Sequence, residues 1–134
     1  MSLERPRTHI GAFTQSNNLM LGWLNRRSTK ERQIIAKQVG IISETIWKED
    51  QVGIYQLRRK HVLYYCNEEL ANFSDSKRIP YEQSLRLLII SLKKEQWLPI
   101  KYGKGFSIYS NKQLSELAAL NKQLELEEAI LNEY

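Results

Sequence analysis

Residues 67–110 read NEELANFSDSKRIPYEQSLRLLIISLKKEQWLPIKYGKGFSIYS, and three changes of pattern divide them. Glu68-Glu69-Leu70-Ala71-Asn72-Phe73 places Leu70, Ala71 and Phe73 inward on a short helix, and Ser74-Asp75-Ser76-Lys77-Arg78 has the small polar residues of a turn. Pro80 suits a first helical position, because its ring fixes φ and its missing N–H is not needed there, so a helix is expected over 81–97. Tyr81, Leu85, Leu88, Ile89 and Leu92 form its apolar stripe. Then Leu98-Pro99-Ile100-Lys101-Tyr102 and Phe106-Ser107-Ile108-Tyr109, β-rich and apolar at about every second place, flank the turn Gly103-Lys104-Gly105. The order is short helix, turn, long helix, hairpin.

Upstream, a helix is expected over 52–66, with Ile54, Leu57, His61 and Tyr64 or Tyr65 along one side. The adjacent cations Arg58, Arg59 and Lys60 spread around that helix, either as solvated charges or as a phosphate clamp. His61 has no second ligand at metal spacing and no catalytic partner. Ser28-Thr29-Lys30-Glu31 is a capping box opening a helix to about residue 50, whose buried side is Ile35, Val39, Ile42 and Ile46. Gly40 in its middle costs about 1 kcal/mol relative to alanine, so it marks a close helix crossing or a break. A short helix is expected over 16–27, with Leu19, Met20, Trp23 and Leu24 inward. Residues 1–15, with Pro6 and Gly11 and no clear period, read as a flexible arm in which Arg5 and Arg7 could reach a phosphate.

Leu92-Lys93-Lys94-Glu95-Gln96-Trp97-Leu98 resembles the end of the third helix in MarR-like and PadR-like bacterial regulators, where a leucine, charged residues and a hydrophobic turn lead into a wing. Those families usually carry a glycine before the final hydrophobic pair, and Gln96 stands there in this chain. The resemblance covers about residues 52–130. It implies a winged helix-turn-helix, mainly α with a small β-hairpin, with an N-terminal helical extension and a long C-terminal helix. The organisation is then a flexible arm over 1–15, an extension over 16–50 packing on the core, a winged-helix domain over 51–110, and a C-terminal helix over 111–134. The implied function is duplex-DNA binding, in regulating transcription or maintaining a mobile element.

Lys77, Arg78, Gln83 and Arg86 near the start of the third helix, and Lys101 and Lys104 on the hairpin, are the candidate DNA-binding residues. For the two hairpin lysines, ordinary exposed turn residues are an equal reading. Leu87 and Ile90 add apolar surface outside the core stripe, whereas a helix that reads bases offers polar side chains. Either residues 16–50 cover that extra face, or the winged domain serves protein contacts as a non-catalytic adaptor.

Ser110-Asn111-Lys112-Gln113 is a second capping box, opening a helix to near Tyr134. Leu117, Leu120, Leu124 and Leu131 form an a/d-like seam broken by Glu127, with Leu114 and Ile130 at its edges. The seam either packs back on its own domain, binds a protein partner, or forms a homodimer, as the resemblance implies; a twofold protein matches a palindromic site.

The chain has 134 residues, 42% hydrophobic and 26% charged, which suits one core with extensions. No stretch approaches the roughly 18 uncharged apolar residues of a membrane span, so a soluble, cytoplasmic protein is expected, with no membrane partner. The single cysteine, Cys66, can form neither an internal disulfide nor a zinc site and reads as a buried, inert thiol. The net charge is +5 with a pI near 9.4. Basic residues outnumber acidic ones eight to five over 1–50 and ten to five over 51–110, and are outnumbered five to two over 111–134. A basic body with an acidic last helix suits a polyanion-binding face and a separate partner-binding end. No phosphate-binding glycine loop, histidine pair at ligand spacing, nucleophile elbow or Cys-x-x-Cys is present, so neither an enzyme nor a cofactor or metal is expected.

Overall fold

A computed structural model describes residues 4–132, as six α-helices, three single 3-10 turns and one two-stranded antiparallel sheet. The protein is mainly helical with a small hairpin. Among the described residues, no helix is long and apolar enough to cross a membrane.

The chain is already helical well inside the expected arm. Helix α1 spans His9–Leu19, and the Thr8 hydroxyl caps it by accepting from the Gly11 N–H at 3.0 Å. Before it, the Pro6 carbonyl accepts from the Trp47 indole at 2.8 Å, so residues 4–15 are a packed strap and helix rather than a flexible arm. The mistaken cue was Gly11, which sits inside the first turn and breaks nothing. Residues 1–3 lie outside the described residues. After α1 a four-residue helix, α2 (Leu21–Leu24), buries Leu24.

Helix α3 (Thr29–Asp50) starts where the capping pattern places it, with the Ser28 hydroxyl accepting from the Glu31 N–H at 3.2 Å. Val39, Ile42 and Ile46 are buried and Ile35 packs beside them. Gly40 marks a crossing and not a break, because a Cβ there would overlap the Phe13 ring of α1. Asn17 ties the two helices by donating to the carbonyls of Phe13 at 3.0 Å and Ala36 at 3.1 Å.

The helix expected over 52–66 begins later and runs further. Gln51 ends α3 in the left-handed region at φ 57°, and Ile54–Gln56 forms only a 3-10 turn. Helix α4 is Arg59–Glu68. The short helix expected over 68–73 is a 3-10 turn at Leu70–Asn72. Ser74 then starts α5, which spans Asp75–Ser91. Pro80 is therefore in its second turn, where it forgoes one hydrogen bond to the Ser76 carbonyl. Extended Ser74 followed by Asp75 outcompetes Pro80 as a start signal, since the acidic side chain suits the positive helix end.

Helix α5 also stops short of residue 97. Lys93 takes φ 60°, its N–H donates to Ile90 at 2.9 Å, and the Lys94 N–H donates to Ile89 at 3.0 Å. This pair is a Schellman cap with lysine where glycine is usual. The expected hairpin forms, strands β1 (Ile100–Tyr102) and β2 (Phe106–Ile108) pairing Ile100 with Ile108 and Tyr102 with Phe106. Gly103 and Gly105 have φ of 58° and 103°, conformations that favour glycine. Helix α6 (Asn111–Asn132) begins at a reciprocal Ser110–Gln113 capping box.

A single core joins α2, α3, α4, α5 and the hairpin, with Val39, Ile42, Val62, Leu70, Leu85, Leu88, Ile100 and Ile108 fully shielded. Each such side chain contributes about 1.5–3 kcal/mol on burial. Helix α3 lies against α5, where the Ser84 hydroxyl donates to Gln38 Oε1 at 2.7 Å.

Candidate nucleic-acid interface

The first turn of α5 meets the hairpin through Arg78. Its guanidinium carbon lies 3.8 Å from the Phe106 ring centroid, while its nitrogens bond Asp75 at 2.6 Å and Glu82 at 3.2 Å. The side chain is only 11% exposed, so Arg78 is committed to holding helix and hairpin together. Burial of Tyr102 on β1, and then the Glu82 charge nearby, raise its phenol above the ordinary tyrosine range. From the other side, Asn67 at the end of α4 accepts from the Gly103 N–H at 2.9 Å and fixes the hairpin tip.

Around this joint the candidate residues divide into two groups. Lys77, Gln83, Lys101 and Lys104 are exposed. The Lys77 ammonium lies 4.1 Å from the Phe73 ring centroid, and Phe73 meets Tyr81 edge to face at 5.4 Å. Lys101 points outward between buried Ile100 and Tyr102, and Lys104 occupies the tip. Because Arg78 stacks on Phe106, the Lys77 turn and the Lys101–Lys104 hairpin belong to one end of the molecule. Glu68 and Glu69 are also exposed near this end and lower its net positive charge.

Arg78 and Arg86 form the second group. Arg86 donates from Nε to the Tyr109 carbonyl at 2.6 Å, joining α5 to the segment before α6. Its burial lowers its pKa, with the Glu82 charge working the other way. The acidic partners of Arg78 were visible as spacing, since Asp75 and Glu82 lie three before and four after it.

The apolar outer side of α5 is partly covered. Leu87 and Ile90 are half-buried, and Leu87 borders a groove with Trp23, Ile34, Ile35 and Gln83. Leu87 packs against the core, with Trp23 of α2 and Ile34 and Ile35 of α3 beside it.

Further cations gather at the opposite end of α5. Arg59 donates to the Trp97 carbonyl at 3.3 Å, and Lys93 and Lys94 share a groove with Leu57 and Trp97. The triplet of Arg58, Arg59 and Lys60 is exposed there. In the sequence Lys93 and Lys94 read as the end of a longer helix, with Lys93 among its few polar side chains available to a base edge.

His61 serves α4 itself, its Nδ1 accepting from the Arg58 N–H at 3.0 Å. The Cys66 thiol is buried, and burial followed by the Glu82 charge pushes its pKa up to about 12. Among the described residues, no group of three or more histidine, cysteine or acidic side chains is placed to hold a metal ion. Of the seam residues, Leu117 is 37% exposed and Leu131 73%, and no α6 residue is buried.

No protein-family model, curated protein or solved structure matches the chain.

Proposed function

We propose that this chain is a cytoplasmic, non-enzymatic winged-helix protein, loosely MarR-like or PadR-like, that binds duplex DNA as a homodimer. In this reading α4 and α5 are the helix-turn-helix, the hairpin is the wing, and α6 carries the dimer contact through Leu117, Leu120, Leu124 and Leu131. The role is transcriptional regulation or maintenance of a mobile element. The observation that carries it is the set of three exposed lysines, Lys77, Lys101 and Lys104, gathered at one end by the Arg78–Phe106 joint. Lysines there suit phosphates, and Gln83 is the exposed polar group that α5 offers a base edge. Arg78 and Arg86 position helix and hairpin and do not touch DNA.

A second reading, a protein-binding adaptor on the same fold, is favoured by the uncovered apolar seam of α6. Binding to random duplex DNA separates the two. The DNA reading expects affinity to fall steeply with salt, with a log–log slope of about −5 for six neutralised phosphates per dimer. Absence of binding at about 50 mM salt defeats it. Reversing Lys77, Lys101 and Lys104 to glutamate should abolish binding while the melting temperature holds. Arg78→Ala should instead lower the melting temperature.

A further inference from the structure

We infer that α6 pairs antiparallel with α6 of a second copy, an orientation that rests on the dimeric reading above and extends it. Every described residue of this 22-residue helix lies outside the core, yet most helical stability in proteins comes from packing an apolar face. Leu117, Leu124 and Leu131, seven residues apart, form one line along it, and they are 37%, 52% and 73% exposed. Leu126 falls on the other side of the helix and takes no part, and Ile130 borders the seam beside Glu127.

The polar residues beside that line distinguish the two directions. Asn121 stands three residues before Leu124 and Glu127 three after it. With Leu124 on the twofold axis, a reversed copy brings Leu117 level with Leu131 and Asn121 level with Glu127, so the amide can donate to the carboxylate. It also sets Lys122 level with Leu126, among Glu125, Glu127 and Glu128. A parallel copy would stack Glu127 on Glu127 and crowd six carboxylates within about one turn, and like charges at such spacing repel. The seam is therefore self-complementary in the reversed direction, as an isologous interface requires.

The two bodies then hang from opposite ends of the pair. In this register the partner's Asn111 lies 26 residue steps along the axis, or about 39 Å. DNA half-sites one turn apart are separated by about 34–36 Å.

Cysteine pairing in the full chain, without DNA, tests the direction. When Asn121→Cys and Glu128→Cys chains are mixed and oxidised in air, a disulfide-linked heterodimer is expected. A mixture of Glu116→Cys and Asn121→Cys, which meet only in a parallel pair, should give none. The reverse result overturns the inference, as does a monomer or a tetramer in sedimentation equilibrium. Leu124→Glu should convert the dimer to monomer with the melting temperature of the body unchanged. Because no DNA is present, this outcome is independent of whether the lysine-bearing end binds it.

Discussion

Helices α3 and α6 each have 22 residues and each begins at a serine cap, yet α3 buries five residues and α6 none. Capping decides where a helix begins, while the distribution of apolar residues around it decides what holds it. On α3, Val39, Ile42 and Ile46 point into the core, and Gly40 lets α1 approach closely. On α6, Leu117, Leu120, Leu124 and Leu131 form a seam, but Glu127 interrupts it and Leu126 lies on the other side. The first pattern closes a core within one chain, and the second leaves a surface.

Truncations break this contrast most sharply. Leu88→Ala, in the fully shielded core, should cost about 2–5 kcal/mol, whereas Leu120→Ala in α6 of the monomer should stay within about 0.5 kcal/mol. Thermal melts compare them, and equal losses would show α6 to be part of the core.

A smaller effect comes from the helix crossing. Gly→Ala inside a helix ordinarily gains about 1 kcal/mol. Gly40→Ala should lose about 1–3 kcal/mol in urea unfolding, because the new Cβ falls on the Phe13 ring. Pairing it with Phe13→Leu should recover part of the loss, and a stabilised Gly40→Ala would mean that the crossing is loose.

The mildest probe is alkali. Burial raises the phenols of Tyr65 and Tyr102, and burial with the Glu82 charge pushes the Cys66 thiol up to about 12. Unfolded, these groups ionise near about 8.5 for the thiol and about 10 for the phenols. The folded state therefore keeps protons that the unfolded state releases. Their contribution is complete at neutral pH and is lost as pH rises from about 9 toward 12. A chain cut after Ser110 should show the same alkaline fall in stability, since all three groups belong to the body.

The comparison also explains what the sequence discloses. Ser28, Glu31 and the spacing of Val39, Ile42 and Ile46 are local signals, so α3 was legible at both ends. The hairpin was legible because two glycines stand where left-handed backbone is needed. The ends of α5 were not, because the helix starts after Ser74, six residues before Pro80, and lysine replaces the usual glycine at position 93. Of the candidate site, the exposed lysines could be named from composition and position. The roles of Arg78 and Arg86 depend on Phe106 and the Tyr109 carbonyl, contacts across about 23 to 28 residues that no local pattern reveals. Helix α1 was missed because its burial is set by packing against α3, with Ala12 and Ser16 inward and no continuous apolar stripe.

The bond from Trp47 to the Pro6 carbonyl spans 41 residues and couples the last turns of α3 to the amino-terminal strap. Lifting the strap would strip that indole of its acceptor and change its surroundings. With Trp23 and Trp97 replaced by phenylalanine, Trp47 emission gauges whether the amino end is seated while the lysine-bearing end or α6 is being altered.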